Sequence, residues 1–339
     1  MKYVSLFAGI GGFDLALNRL GHECVWANEW DKYAAQIYNK NFIRPLQRED
    51  TGRPKERQLV ENELVQREYL GNGIDTRDIR TVPTSEIPDH DLLVGGFPCQ
   101  AFSIAGKRRG FDDTRGTLFF EIARILKDKN PKYFILENVK GLLSHDNGST
   151  FKTIISTLTE LGYDLQWQVL NSKNFGVPQN RERVFIVGHI RGQPRPKVFP
   201  ITGSNGEDNE LVYHQKADRE IARIYDTKGI APTLHLKTGG WQEPKIAVAL
   251  DANSYKGLSP SHSKNRVDRN VIMKQKRIRR LTPTECERLQ GFPDGWTEGI
   301  SDTQRYKCLG NAVTVNVVYE VARRLTLSKF NLKSKSGGK

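Results

Sequence analysis

Lys2-Tyr3-Val4-Ser5-Leu6-Phe7-Ala8-Gly9-Ile10-Gly11-Gly12-Phe13 sets the fold. Lys2–Phe7 is a short apolar run that reads as a buried strand. A glycine-rich turn follows. From Gly12 to Leu20 the residues Phe13, Leu15, Ala16 and Leu20 fall at helical spacing, and Gly21 closes the helix. The pattern then repeats. Glu23–Ala27, Leu92–Val94, Tyr133–Leu136 and Val184–Val187 read as further strands. Lys32–Asn41, Leu118–Lys127 and Phe151–Leu161 read as helices between them. Strand–helix alternation predicts an α/β fold, a doubly wound and mostly parallel sheet.

Two stretches break this rhythm. Arg44–Asn72 is rich in Arg, Glu and Gln, with six basic and six acidic side chains from Arg44 to Glu68. It reads as an exposed insertion with one helix over Glu61–Tyr69. After Arg191, Gly, Pro, Ser, Thr and Asn become frequent and helical periodicity disappears. Ile201–Glu210 reads as an exposed loop, and short strands with long loops are expected as far as Arg280. Thr282–Gln290 resumes helix, with Thr282 as N-cap, Pro283 at the first helical position and Glu285 three residues after the cap. Val313–Leu325 is the last amphipathic helix. The division that follows is a main domain at 1–190 completed by 305–328, a smaller domain at 191–280, a hinge at 281–304 and a disordered tail at 329–339.

The chain has 339 residues and a net charge of +13. Between Arg191 and Arg280 there are 18 Lys/Arg against 9 Asp/Glu, so one quarter of the chain holds most of the excess. A concentrated basic surface points to a polyanion, nucleic acid first. The four cysteines, Cys24, Cys99, Cys286 and Cys308, are scattered, with no C-x-x-C pair. That predicts a reducing compartment, no disulfide framework and no zinc site. No apolar run reaches the length of a membrane span and no signal peptide precedes Tyr3, so a cytoplasmic protein is expected.

Five groups of residues carry the chemistry. Phe97-Pro98-Cys99-Gln100 follows Gly95-Gly96 at the carboxyl end of the Leu92–Val94 strand, where open α/β sheets place their reactive groups. Glu29-Trp30 ends the second strand, about twenty residues after the Gly9-Ile10-Gly11-Gly12 turn. A carboxylate there can accept both hydroxyls of a ribose, and Trp30 with Phe7 could sandwich an adenine. Glu137-Asn138-Val139 ends a neighbouring strand and faces the same crevice. Gln179-Asn180-Arg181-Glu182-Arg183 brings two arginines suited to bidentate bonds with a carbonyl or phosphate. Gly310-Asn311-Ala312-Val313 opens the last helix.

In this order the motifs resemble those of the DNA (cytosine-5) methyltransferases of bacterial restriction–modification systems. The resemblance runs from about Tyr3 to Leu325 and departs mainly at Arg44–Asn72 and Arg191–Arg280. It implies the S-adenosylmethionine-dependent methyltransferase fold and S-adenosyl-L-methionine as cofactor. It assigns Phe7, Gly9, Gly11, Gly12, Glu29, Trp30, Asp78, Ile79, Pro98, Leu118, Asn311 and Ala312 to cofactor binding, with Asp78 at the adenine amino group. Cys99 would be the nucleophile that adds to cytosine C6, and Glu137 the acid at N3. Arg183 would hold O2 and Arg181 would support the loop. The 191–280 segment would be a small target-recognition domain for double-stranded DNA. Within it, Thr233, Thr238, Gly239 and Gly240 match recognition elements. Ser103, Lys107, Arg108 and Arg109 would line a loop that closes over DNA. No metal is implied. A monomer is expected, paired in function with a cognate restriction endonuclease. Three other readings stay open at this point: a tRNA cytosine-5 methyltransferase, a silent DNA-binding relative, and an NAD-dependent oxidoreductase, against which the glycine spacing counts.

Overall fold

The computed structural model describes residues 1–43, 73–98, 118–192, 196–202, 213–215, 224–226, 245–249 and 276–333. The insertion 44–72 with its expected helix lies outside the described residues, as do Cys99, Ser103, Lys107, Arg108, Arg109, Thr233, Thr238, Gly239, Gly240 and the end of the tail, 334–339.

Six strands form one sheet: β1 (Lys2–Leu6), β2 (Glu23–Asn28), β3 (Leu92–Gly96), β4 (Tyr133–Val139), β5 (Tyr163–Asn171) and β6 (Glu182–Ile190). Their order is β2-β1-β3-β4-β6-β5. The first four are parallel, and β6 runs antiparallel to both β4 and β5. The sheet is therefore mixed at one end, a reversal that apolar runs alone do not encode.

Seven helices are described: α1 (Gly12–Arg19), α2 (Lys32–Phe42), α3 (Leu118–Lys129), α4 (Ser149–Glu160), α5 (Pro283–Gln290), α6 (Asp302–Asn311) and α7 (Val315–Lys333). Successive strand residues point to opposite sheet faces. Tyr3, Leu92, Val94, Ile135, Phe185 and Val187 therefore join a core with α1 and α7, while Val4, Leu93, Phe134, Leu136, Val184 and Ile186 join a second core with α3 and α4. Each such side chain contributes about 1.5–3 kcal/mol on burial. Exposed ion pairs contribute about 1 kcal/mol at most, so the two cores hold the sheet.

The α5 start is the one expected. Thr282 Oγ1 accepts from Glu285 N, the Glu285 carboxylate accepts from Thr282 N at 2.7 Å, and Pro283 opens the helix. The chain around it differs from the reading. Gly310-Asn311 closes α6, a helix with no expected counterpart, and does not open the last helix, which begins at Val315. Residues 329–333 continue α7. Segment 281–304 sends Leu281, Cys286, Leu289, Phe292 and Trp296 into the α1–α7 core.

Ile201, expected in an exposed loop, is 4 % exposed. The reason lies in β5. Gln166 Oε1 accepts from Val198 N at 3.1 Å, and Gln168 Oε1 accepts from Ile201 N at 2.8 Å. These amides lay residues 196–202 against the sheet, and Val198, Phe199 and Ile201 enter the core. Beyond them lie four short strands, β7 (Tyr213–Gln215), β8 (Ile224–Asp226), β9 (Lys245–Ala249) and β10 (Lys276–Arg280), in the order β10-β9-β8-β7. Among the described residues no helix is long and apolar enough to cross a membrane.

Gly188 in β6 lies opposite the fully buried Phe134 of β4, and a Cβ there would stand 2.1 Å from the ring. Gly188→Ala is therefore expected to destabilise the fold by about 1–3 kcal/mol through overpacking. Thermal unfolding checks this, with Phe134→Leu in the same chain expected to restore part of the loss.

Candidate active site

A crevice opens where the carboxyl ends of β1, β3 and β4 meet, at the point where strand order reverses between β2 and β3 on either side of β1. Because β6 runs backward, its amino end arrives at the same edge: Arg183 pairs with Val139 of β4. The C-terminal end of α6 reaches this edge too. Together they enclose a cavity of about 1020 Å³.

One end of the cavity holds Glu137, Arg181 and Arg183. Glu137 sits two residues before Val139, so Arg183 is its diagonal cross-strand neighbour. Arg183 Nε donates to Glu137 Oε1 at 3.0 Å. Burial pushes the Glu137 carboxyl above its ordinary range, against the pull of Arg183 and then Arg181. Gly96 leaves room for it: a Cβ on Gly96 would stand 3.1 Å from Glu137 Oε2.

Arg181 is 1 % exposed, and its Nη2 donates to the carbonyls of Gly310 and Ala312, both at 2.9 Å. Burial and then the Arg183 charge push its guanidinium below the ordinary value, while Glu137 pushes it back. A guanidinium stays charged through that shift at neutral pH. Asn138 does a different job. Its Nδ2 donates to Phe97 O at 2.8 Å and its Oδ1 accepts from Val139 N. The bond fixes the backbone two residues before Cys99, and Pro98 lines the cavity.

The other end holds Phe7, Gly9, Glu29, Trp30, Asp78 and Ile79. Phe7 has φ 53 and Gly9 has φ 58, so the chain leaves β1 through two left-handed residues. That turn aims Gly9 N at Glu29 Oε2, 2.8 Å away, and Asp31 N donates to Oε1 at 2.7 Å. Each carboxylate oxygen is thus oriented by a backbone N–H and keeps a lone pair for a ligand hydroxyl. Trp30 is 65 % exposed and lines the cavity. The carboxylate of Asp78 is engaged by Arg80 (Nη2–Oδ2 2.5 Å), which holds it below the usual carboxylate range. Leu118 and Asn311 complete the lining assigned from sequence.

Gly11, Gly12 and Ala312 do not line the cavity, and their work is to pack. A Cβ on Gly11 would meet the Phe42 ring at 2.1 Å, and one on Gly12 would meet Val313 Cγ1 at 2.7 Å. Ala312 supplies a carbonyl to Arg181. Sequence reasoning passed over Asp31, Asn180, Lys140 and Lys307, all of which line the cavity. Asp31 could have been found as the N-cap after Glu29-Trp30. Lys307 lies on α6, where nothing in the sequence marked a helix.

Arg181→Met would remove the side-chain donor to the Gly310 carbonyl and leave the Ala312 carbonyl with the long 3.4 Å bond from Gln290 Nε2, at a cost of about 1–3 kcal/mol. The urea midpoint is expected to fall accordingly; an unchanged midpoint would contradict the clamp.

The model of the C-5 cytosine-specific DNA methylases matches residues 1–66, 66–237 and 200–327. The chain is 35 % identical to the Type II methyltransferase M.HhaI of Haemophilus parahaemolyticus, over 98 % of this chain and 96 % of that one. It is 39 % identical to the Type II methyltransferase M.NgoBI of Neisseria gonorrhoeae, over 99 % and 96 %. Among solved structures, the Dnmt2 methyltransferase of S. pombe superposes with a TM-score of 0.63 at 19 % identity, covering 98 % of this chain and 99 % of that one.

Proposed function

Because the chain belongs to the C-5 cytosine-specific DNA methylase family and is a DNA (cytosine-5-)-methyltransferase of the restriction–modification type, we propose that it extrudes one cytosine from duplex DNA and methylates it in the cavity between Glu137 and Glu29. The observation that carries this reading is the single cavity, with an acid–arginine pair at one end and a doubly oriented carboxylate at the other.

Cytosine C5 is a weak nucleophile. In the proposed sequence the Cys99 thiolate adds to C6, and the displaced electron pair is taken up toward N3 as Glu137 gives N3 a proton. A carboxyl pushed upward by burial is suited to that donation. Arg183 holds O2 and fixes Glu137, and Arg181 clamps the turn after α6 beside them. C5 then bonds to the methyl group that the cofactor would supply, whose bond to the sulfonium sulfur breaks to leave a neutral thioether, and N3 returns its proton to Glu137. Loss of the C5 proton to a base, water in this reading, returns electrons to the ring and expels the thiolate.

S-adenosyl-L-methionine supplies the electrophilic methyl group. The residues present fit it: Glu29 accepts a ribose diol, Phe7 and Trp30 take the purine faces, and Asp78 with Ile79 closes that end. Shielding of C5 and C6 in the stacked duplex requires base extrusion, at about a few kcal/mol. The basic 191–280 segment serves to hold the DNA while Ser103 and Lys107–Arg109 close over it. The chain works as a cytoplasmic monomer beside a cognate endonuclease.

Methylation sequencing of DNA from cells expressing the chain is expected to show one short motif methylated at cytosine C5, absent with Cys99→Ser. If only tRNA is methylated, the DNA reading fails. Glu137→Gln keeps the shape and removes the transferable proton, so single-turnover transfer is expected to slow by about 10²–10⁴-fold. DNA affinity is expected to fall log-linearly with salt; a flat response would count against the basic segment as the clamp.

A further inference from the structure

Lys307 projects from α6 into the cofactor end of the cavity, with its Nζ 2.6 Å from Asp31 Oδ2. Asp31 sits between two structures. Its Oδ1 caps α2 by accepting from Tyr33 N at 2.9 Å and Ala34 N at 3.2 Å, and its own N donates to Glu29 Oε1. The ammonium is thus one residue removed from the carboxylate assigned to the ribose. Glu29, Asp31 and Lys307 all line the cavity.

The charges around Glu29 make this arrangement consequential. Burial disfavours its ionised form, and the Asp31 carboxylate disfavours it further. The two backbone donors, from Asp31 and Gly9, favour it, and Lys307 is the cation that does so. Cys308, beside Lys307 on α6, is pushed up to about 12 by burial and stays a neutral thiol. A neutral Glu29 would turn one acceptor oxygen into a donor and lose the fit to two hydroxyls.

We propose that Lys307 is a positioning residue of the cofactor site: its ammonium, anchored on Asp31, keeps the Glu29 carboxylate charged and in place to accept the two hydroxyls of a ribose. The inference rests on the reading of this cavity end as the S-adenosyl-L-methionine site. It also gives α6 a part in that site distinct from the Arg181 clamp, since Lys307 lies three residues before Gly310 and reaches the opposite end of the cavity.

The sign follows from the charges. Ligand affinity requires ionised Glu29, so affinity falls as pH falls through its pKa. Removing Lys307 raises that pKa and moves the acidic midpoint upward. The test is calorimetric binding of S-adenosyl-L-homocysteine to the full chain across the acidic range, comparing the unmodified protein with K307M, K307Q and K307R. The acidic midpoint is expected to rise in K307M and K307Q. Affinity at neutral pH is expected to fall about two- to fivefold in both. K307R is expected to restore midpoint and affinity, which a merely structural role for the lysine stem would not require. Binding with an unmoved midpoint in K307M and K307Q would overturn the inference alone. No binding by the unmodified chain would overturn the cofactor reading and the inference with it.

Discussion

A guanidinium with almost no exposure must find its partners from within, and in this fold Arg181 Nη2 finds two of them in carbonyls about 130 residues further along the chain. Much of the site depends on that constraint. Arg181 enters at the amino end of β6, the strand that runs against the others, so the clamp holds the turn after α6 against the sheet edge where Glu137 and Arg183 meet. The antiparallel strand and the buried cation act together. A parallel strand in that place would carry its amino end, and both arginines, to the far side of the sheet.

The same joining of early and late segments recurs at the glycine turn. Trp296 Nε1 donates to Ile10 O at 2.8 Å in a buried setting, and Gly12 packs on Val313. The turn is a surface that residues from the last fifth of the chain press against. Two of its three glycines face protein, Gly12 against the late segment and Gly11 against α2. Gly9 gives Glu29 a donor, whereas Gly11 and Gly12 give Phe42 and Val313 space.

Most of what positions the site was legible in the sequence, and what was missed shares a physical cause. β1, β3 and β4 are buried on both faces, so their apolar runs announce them. The α5 capping box announces itself through Thr282 and Glu285. β5 does not, because it is a sheet edge whose Gln166 and Gln168 face a bound stretch of the chain itself, and a polar side chain in that role looks like exposure. α6 buries only Cys308, Leu309 and Gly310, too narrow a face for periodicity to detect. Glu137, Arg181, Arg183 and Glu29 were singled out by residue type and order, and the fold brings them to one cavity; Cys99 lies outside the described residues. Asp31 and Lys307 were not singled out, since an ion pair between residues 276 apart leaves no local trace.

The packing of Gly12 against Val313 has a consequence in time. During synthesis at about 5–20 residues per second, the glycine turn leaves the ribosome about 15–60 seconds before its partner exists. Through that interval β1, α1 and β2 can form, but the wall behind the turn and the donors to the Gly310 and Ala312 carbonyls have nothing to close on. An unfinished chain therefore carries the residues of both ends of the cavity without the cavity.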